Sequence, residues 1–111
     1  MAKASAHPFA GRAGSAKRDA HAIALYAEQD GKCRMCSAPI PPTLRGRTGK
    51  RAAVVDHKRP WRLRPDLSFE RSNLALVCAR CHDRHCASIE AAYWPDADMI
   101  AEAKERFCQQ W

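Results

Sequence analysis

The chain has 111 residues, a formal net charge of +7 and a sequence pI near 9.4. That length gives one domain with a modest core, of the size that often needs a metal or disulfides to hold it. No apolar run is long enough to span a membrane and no secretory segment is present, so six cysteines are expected to be reduced thiols in the cytoplasm, available to a metal.

The charge is local. Residues 1–18 carry Lys3, Arg12, Lys17 and Arg18 without an acid. Residues 45–64 carry eight Lys or Arg against Asp56, whereas residues 87–111 are acidic. A basic stretch of this kind is the footprint expected of a polyanionic partner. Residues 1–15 mix Ala, Gly, Ser and Pro with basic residues and are expected to form a flexible basic tail, with a single domain over 16–111.

In chain order, Ala20, Ile23, Ala24 and Ala27 predict a helix over 16–29, stopped by Asp30-Gly31. Cys33-Arg-Met-Cys36 follows directly. Pro41-Pro42, Gly46 and Gly49 predict a loop through residue 51. Ala52–Val55 is a short buried strand that ends on Asp56-His57. Residues 58–72 are irregular, and Leu74–Val77 is a second strand running into Cys78-Ala-Arg-Cys81-His82. A helix over 79–93 and another over 96–108, capped by Asp96 and burying Ile100, Ala103 and Phe107, complete the chain.

Cys33, Cys36, Cys78 and Cys81 form two Cys-x-x-Cys pairs with 41 residues between them. A two-residue gap lets both thiolates of a pair face one tetrahedral ion, and two pairs make a closed, structural zinc shell. The alternatives are two disulfides or four buried thiols; paired spacing in a chain with no export signal favours zinc. The long gap means that the pairs bracket a subdomain. Cys86 reads as a small buried residue, and His7 and His21 as ordinary surface residues.

Residues 33–90 resemble the HNH endonuclease family. The resemblance is carried by Cys33-Arg-Met-Cys36, Val55-Asp-His-Lys-Arg-Pro60, Ser72-Asn-Leu-Ala-Leu-Val-Cys78 and Cys81-His-Asp-Arg-His85. It is closest to the short phage and prophage members, including their bulky loop, here Leu67–Ser72. It implies an α+β chain with a zinc-stapled ββα-metal core and flanking helices. It implies that Asp56 and His82 hold a catalytic divalent ion (Mg²⁺, Mn²⁺, Ni²⁺ or Zn²⁺), that His57 is the general base, and that Asn73 pins the loop and orients His57. It implies hydrolysis of DNA phosphodiester bonds to 5′-phosphate and 3′-hydroxyl ends, by a monomer or weak dimer, with a packaging partner such as the phage terminase. Arg45, Arg47, Lys50, Arg51, Lys58, Arg59, Arg62 and Arg64 are the expected phosphate contacts, and they carry little sequence information. Two positions depart from the pattern. His85 stands where members often have Lys, and is read as a solvated side chain with phosphate contact or metal ligation as alternatives. Trp61 stands where phage members often have His. The competing reading is a non-catalytic zinc module that binds nucleic acid, and DNA is not separable from RNA on these residues.

Overall fold

The computed structural model describes residues 6–41 and 53–108. Helix α1 spans Gly11–Glu28. Strands β1 (Ala53–His57) and β2 (Leu74–Cys78) form an antiparallel pair in which Ala53 faces Cys78 and His57 faces Leu74. A helical run then passes through a short turn α2 (Ala79–Cys81), a π-helical segment His82–Cys86 and helix α3 (Ala87–Tyr93). Helix α4 (Ala97–Cys108) packs back on α3. This is the small α+β arrangement of two strands and helices expected from the sequence.

The core lies where α1, the first cysteine pair and the sheet meet. Leu25, Met35, Ile40, Val55, Leu74, Leu76 and Val77 are buried there with Cys33, Cys81 and Cys86. Leu74, Ala75, Leu76 and Val77 are buried in succession because both faces of β2 are covered, which is why the strand reads as an unbroken apolar run rather than an alternating one.

Helix α1 starts inside the segment that composition assigns to a tail. Gly14 explains how: a methyl group there would lie 2.5 Å from the Phe9 carbonyl carbon and 2.7 Å from the Pro8 oxygen. Residues 8 and 9 therefore lie directly on the helix backbone, and Phe9 is buried. The other end of α1 closes with paired bonds from Gly31 N–H to Tyr26 O (2.8 Å) and from Asp30 N–H to Ala27 O (3.3 Å), both residues having positive φ. The chain reverses at once into the first cysteine pair.

Gln29, at the end of α1, acts on the sheet. Its amide oxygen accepts from Leu76 N–H at 2.9 Å and its amide nitrogen donates to Leu76 O at 2.9 Å. Arg34 N–H also donates to Leu76 O. These bonds satisfy the outward backbone groups of β2 and dock the first knuckle on the strand. Asp96 caps α4 by accepting from Met99 N–H at 3.0 Å, as expected. Among the described residues, no helix is long and apolar enough to cross a membrane.

Candidate active site

The four knuckle cysteines converge. Their sulfurs all lie within 4.8 Å of one another, near the ~3.8 Å edge of a tetrahedron with zinc–sulfur bonds of about 2.3 Å. Burial alone would raise the Cys33 thiol, but the N–H groups of Cys36, Cys78 and Met35 outweigh it and lower its pKa. Burial, followed by the neighbouring Cys78 sulfur, pushes the Cys81 thiol far up. Four sulfurs gathered around one point fit a divalent cation, and the cluster is compatible with a structural zinc.

Cys81 and His82 are neighbours with different destinations. Successive helical side chains point about 100° apart, so Cys81 turns to the sulfur cluster while His82 lines a cleft of about 490 Å³. Asp56 and His57, at the end of β1, line the same cleft, with Arg62 and Glu90. His82 Nε2 lies 3.9 Å from Asp56 Oδ1. Asp56 and His57 are each 5% exposed.

His57 Nε2 lies 3.0 Å from Ser68 O. A carbonyl only accepts, so Nε2 carries the proton and Nδ1 keeps its lone pair in the neutral ring. Burial holds the His57 pKa below the ordinary value, with the Ser68 carbonyl opposing and His7 and Lys104 adding to the lowering.

The Asn73 side chain bonds the loop backbone. Its side-chain oxygen accepts from Arg59 N–H at 2.9 Å, and its amide nitrogen donates to Arg59 O (3.1 Å) and Leu67 O (3.4 Å). It thereby ties the start of the 58–72 loop to the segment that presents Ser68. Its connection to His57 runs through that loop.

Sequence reasoning missed Lys104. It is 4% exposed, and its ammonium donates to Asp56 Oδ2 (3.0 Å), Glu90 Oε2 (2.7 Å) and His57 O (2.9 Å). Burial would lower its pKa, but Asp56 and Glu90 outweigh that and raise it. Burial pushes the Asp56 carboxyl up, and Lys104 pulls it back. The contact occupies Oδ2 most closely and leaves Oδ1 on the side of His82. Asp56 Oδ1 and His82 Nε2 are the two expected ligand atoms that face each other here, on a carboxylate that already neutralises the Lys104 ammonium.

Of the expected phosphate contacts, Arg62 lies on the cleft with its guanidinium 4.7 Å over the Trp61 ring. Arg59 is paired with Asp98 (2.8 Å) and Arg64 doubly with Asp66 (2.7 and 2.9 Å), so both share their charge with an acid. Lys58 is half-buried. Arg45, Arg47, Lys50 and Arg51 lie outside the described residues. His85 is half-buried and packs against Phe107 of α4, ring centroids 4.5 Å apart. Cys86 is buried, its thiol 3.4 Å from the Met35 sulfur. Trp61 lines the cleft edge-on to His7, a residue that sequence reasoning left on the surface.

A two-stranded sheet feeding a helix, braced by a four-cysteine cluster that could hold a metal and presenting Asp, His and His to one cleft, defines a ββα class of protein. The HNH endonuclease family model matches residues 33–87, and over that span the chain carries an HNH endonuclease domain. No curated protein and no solved structure matches the chain.

Proposed function

We propose that the protein is a divalent-metal-dependent endonuclease that hydrolyses DNA phosphodiester bonds, nicking duplex DNA with low sequence specificity. The observation that carries this reading is the His57–Ser68 bond beside the Asp56–His82 pair, because it leaves a neutral imidazole with its Nδ1 lone pair in a cleft where a cation belongs.

Asp56 Oδ1 and His82 Nε2 are the atoms that would hold the cation, which supplies Lewis-acid charge to the phosphate and the departing 3′-oxygen. His57 Nδ1 accepts a proton from the attacking water. The water oxygen bonds to phosphorus, the bond to the 3′-oxygen breaks, and that oxygen is protonated, giving 5′-phosphate and 3′-hydroxyl ends. Asn73 and Ser68 keep the ring in register by holding the loop. Lys104 keeps Asp56 ionised and turned. Arg62 supplies charge to a neighbouring phosphate, a contact that discriminates poorly between sequences. One such site per chain cuts one strand. Likeness to phage nucleases supports terminase as a partner.

The test is conversion of supercoiled plasmid to open circle with added Mg²⁺, Mn²⁺, Ni²⁺ or Zn²⁺. The wild type is expected to nick, and His57→Ala to lose about 10²–10⁴ in rate, the usual contribution of a positioned base. Nicking with none of the metals, or equal nicking by both proteins, refutes the reading. DNA binding without cleavage would make the chain a zinc module that binds nucleic acid.

A further inference from the structure

Residues 7–9 reach the cleft from outside the family-matched span. Phe9 stacks on the His57 ring (centroids 5.1 Å, 24° between planes), and His7 meets His57 edge-on at 5.9 Å and Trp61 at 5.4 Å. His7 is exposed and lines the cleft. The segment is held there by Phe9 in the core and by the close approach over Gly14.

The tautomer of His7 follows from the hydrogen bond made by its ring. Phe9 N–H donates to His7 Nδ1 at 3.0 Å. Nδ1 must therefore hold the lone pair, and the ring proton sits on Nε2. A metal ligand at Nε2 would need the opposite arrangement. Nε2–H has no protein acceptor among the described residues, and Arg62 lies close enough to influence the ring electrostatically.

An unspent N–H donor on an exposed ring, beside the imidazole that presents a lone pair and beside an arginine, matches the chemistry of a phosphate oxygen. We propose that His7 is a further substrate-binding residue of the cleft, donating a hydrogen bond from Nε2–H to a non-bridging oxygen of the scissile phosphodiester. The inference rests on the nuclease reading above. It adds a contact from a segment that the family match, starting at residue 33, does not include. The ring transfers no proton; its donor strengthens as charge builds on the phosphate oxygens in the transition state.

Two substitutions separate this from packing. In His7→Asn the side-chain oxygen sits near the Nδ1 position and still accepts from Phe9 N–H, but no donor remains at the ε position. In His7→Gln the amide nitrogen reaches the ε position. Nicking by the full-length protein is measured for both, with Mn²⁺ titrated. His7→Asn is expected to lower kcat about 10²-fold, the usual effect of removing one oxyanion donor, with an unchanged melting temperature and an unchanged Mn²⁺ midpoint. His7→Gln is expected to stay within about tenfold of wild type. Wild-type kcat in His7→Asn overturns the proposal. So does an equal loss in both variants, which marks a packing role, or a large shift in the Mn²⁺ midpoint, which marks a metal ligand. A wild-type protein that fails to nick with every one of the added metals refutes the nuclease reading itself, and this inference with it.

Discussion

A buried ammonium costs several kcal/mol to desolvate, and Lys104 offsets that cost with three acceptors, two of them charged. Removing one partner of such a cluster leaves the others unpaired. Lys104→Met is therefore expected to destabilise the protein by about 3–5 kcal/mol, read from urea unfolding with zinc saturating. A loss under about 1 kcal/mol would mean that the ammonium is not committed to Asp56. Lys104 had a faint signature in sequence, since it falls on the stripe of Ile100, Ala103 and Phe107 at helical spacing, where an apolar residue is expected. Ser68 had none, because it acts through its backbone carbonyl. Asp56, His57, Asn73 and His82 were legible as a set because the motif fixes them in order around the cysteines. His7 was illegible because it acts through a fold-back that only Gly14 makes room for.

At the scale of elements, Arg71 joins α1 to the turn that precedes β2. Its Nε–H donates to His21 Nδ1 at 2.8 Å, and a second nitrogen lies 3.2 Å from Glu28. Burial, then the Arg71 charge, lowers the His21 pKa from about 6.5. The unfolded chain thus binds this proton more readily than the folded one. The contribution is present above about pH 6.5 and is lost as pH falls through the lower, folded value. Wild type and His21→Gln, compared by urea midpoint from pH 7.5 down to about 5, are expected to converge as the pH falls; a constant gap would contradict the linkage. The two strands were legible as short apolar runs between breakers. The π-helical turn was not, because a widened turn has no residue signature of its own. The start of α1 was missed for a related reason: Gly11 and Gly14 read as loop formers, whereas Gly14 is a packing requirement.

Across the whole molecule, the cysteine cluster ties the end of α1, through its knuckle, to the junction of β2 and α2. The core around it is small, so metal release should unfold the chain rather than loosen one loop. Structural zinc sites contribute on the order of 10–16 kcal/mol to folding. Excess chelator is expected to abolish the cooperative melting transition and most helical circular dichroism, and Zn²⁺ to restore both. An unchanged melting curve would argue against a metal there.

The amide of Gln29 has one more implication. A sheet of two strands has an open edge on each side, and an unpaired edge invites another chain to add a strand. On β2 that edge is met at Leu76 by the Gln29 amide, which gives and takes one hydrogen bond as a neighbouring peptide would, with Arg34 N–H and Cys33 Sγ meeting the same strand beside it. Gln29 is in effect a one-residue imitation of a third strand. Gln29→Leu should leave the protein able to fold around zinc yet prone to self-association, visible as a concentration-dependent shift in light scattering that the wild type lacks. One glutamine would then decide whether this hairpin stays solitary or becomes a seed for aggregation.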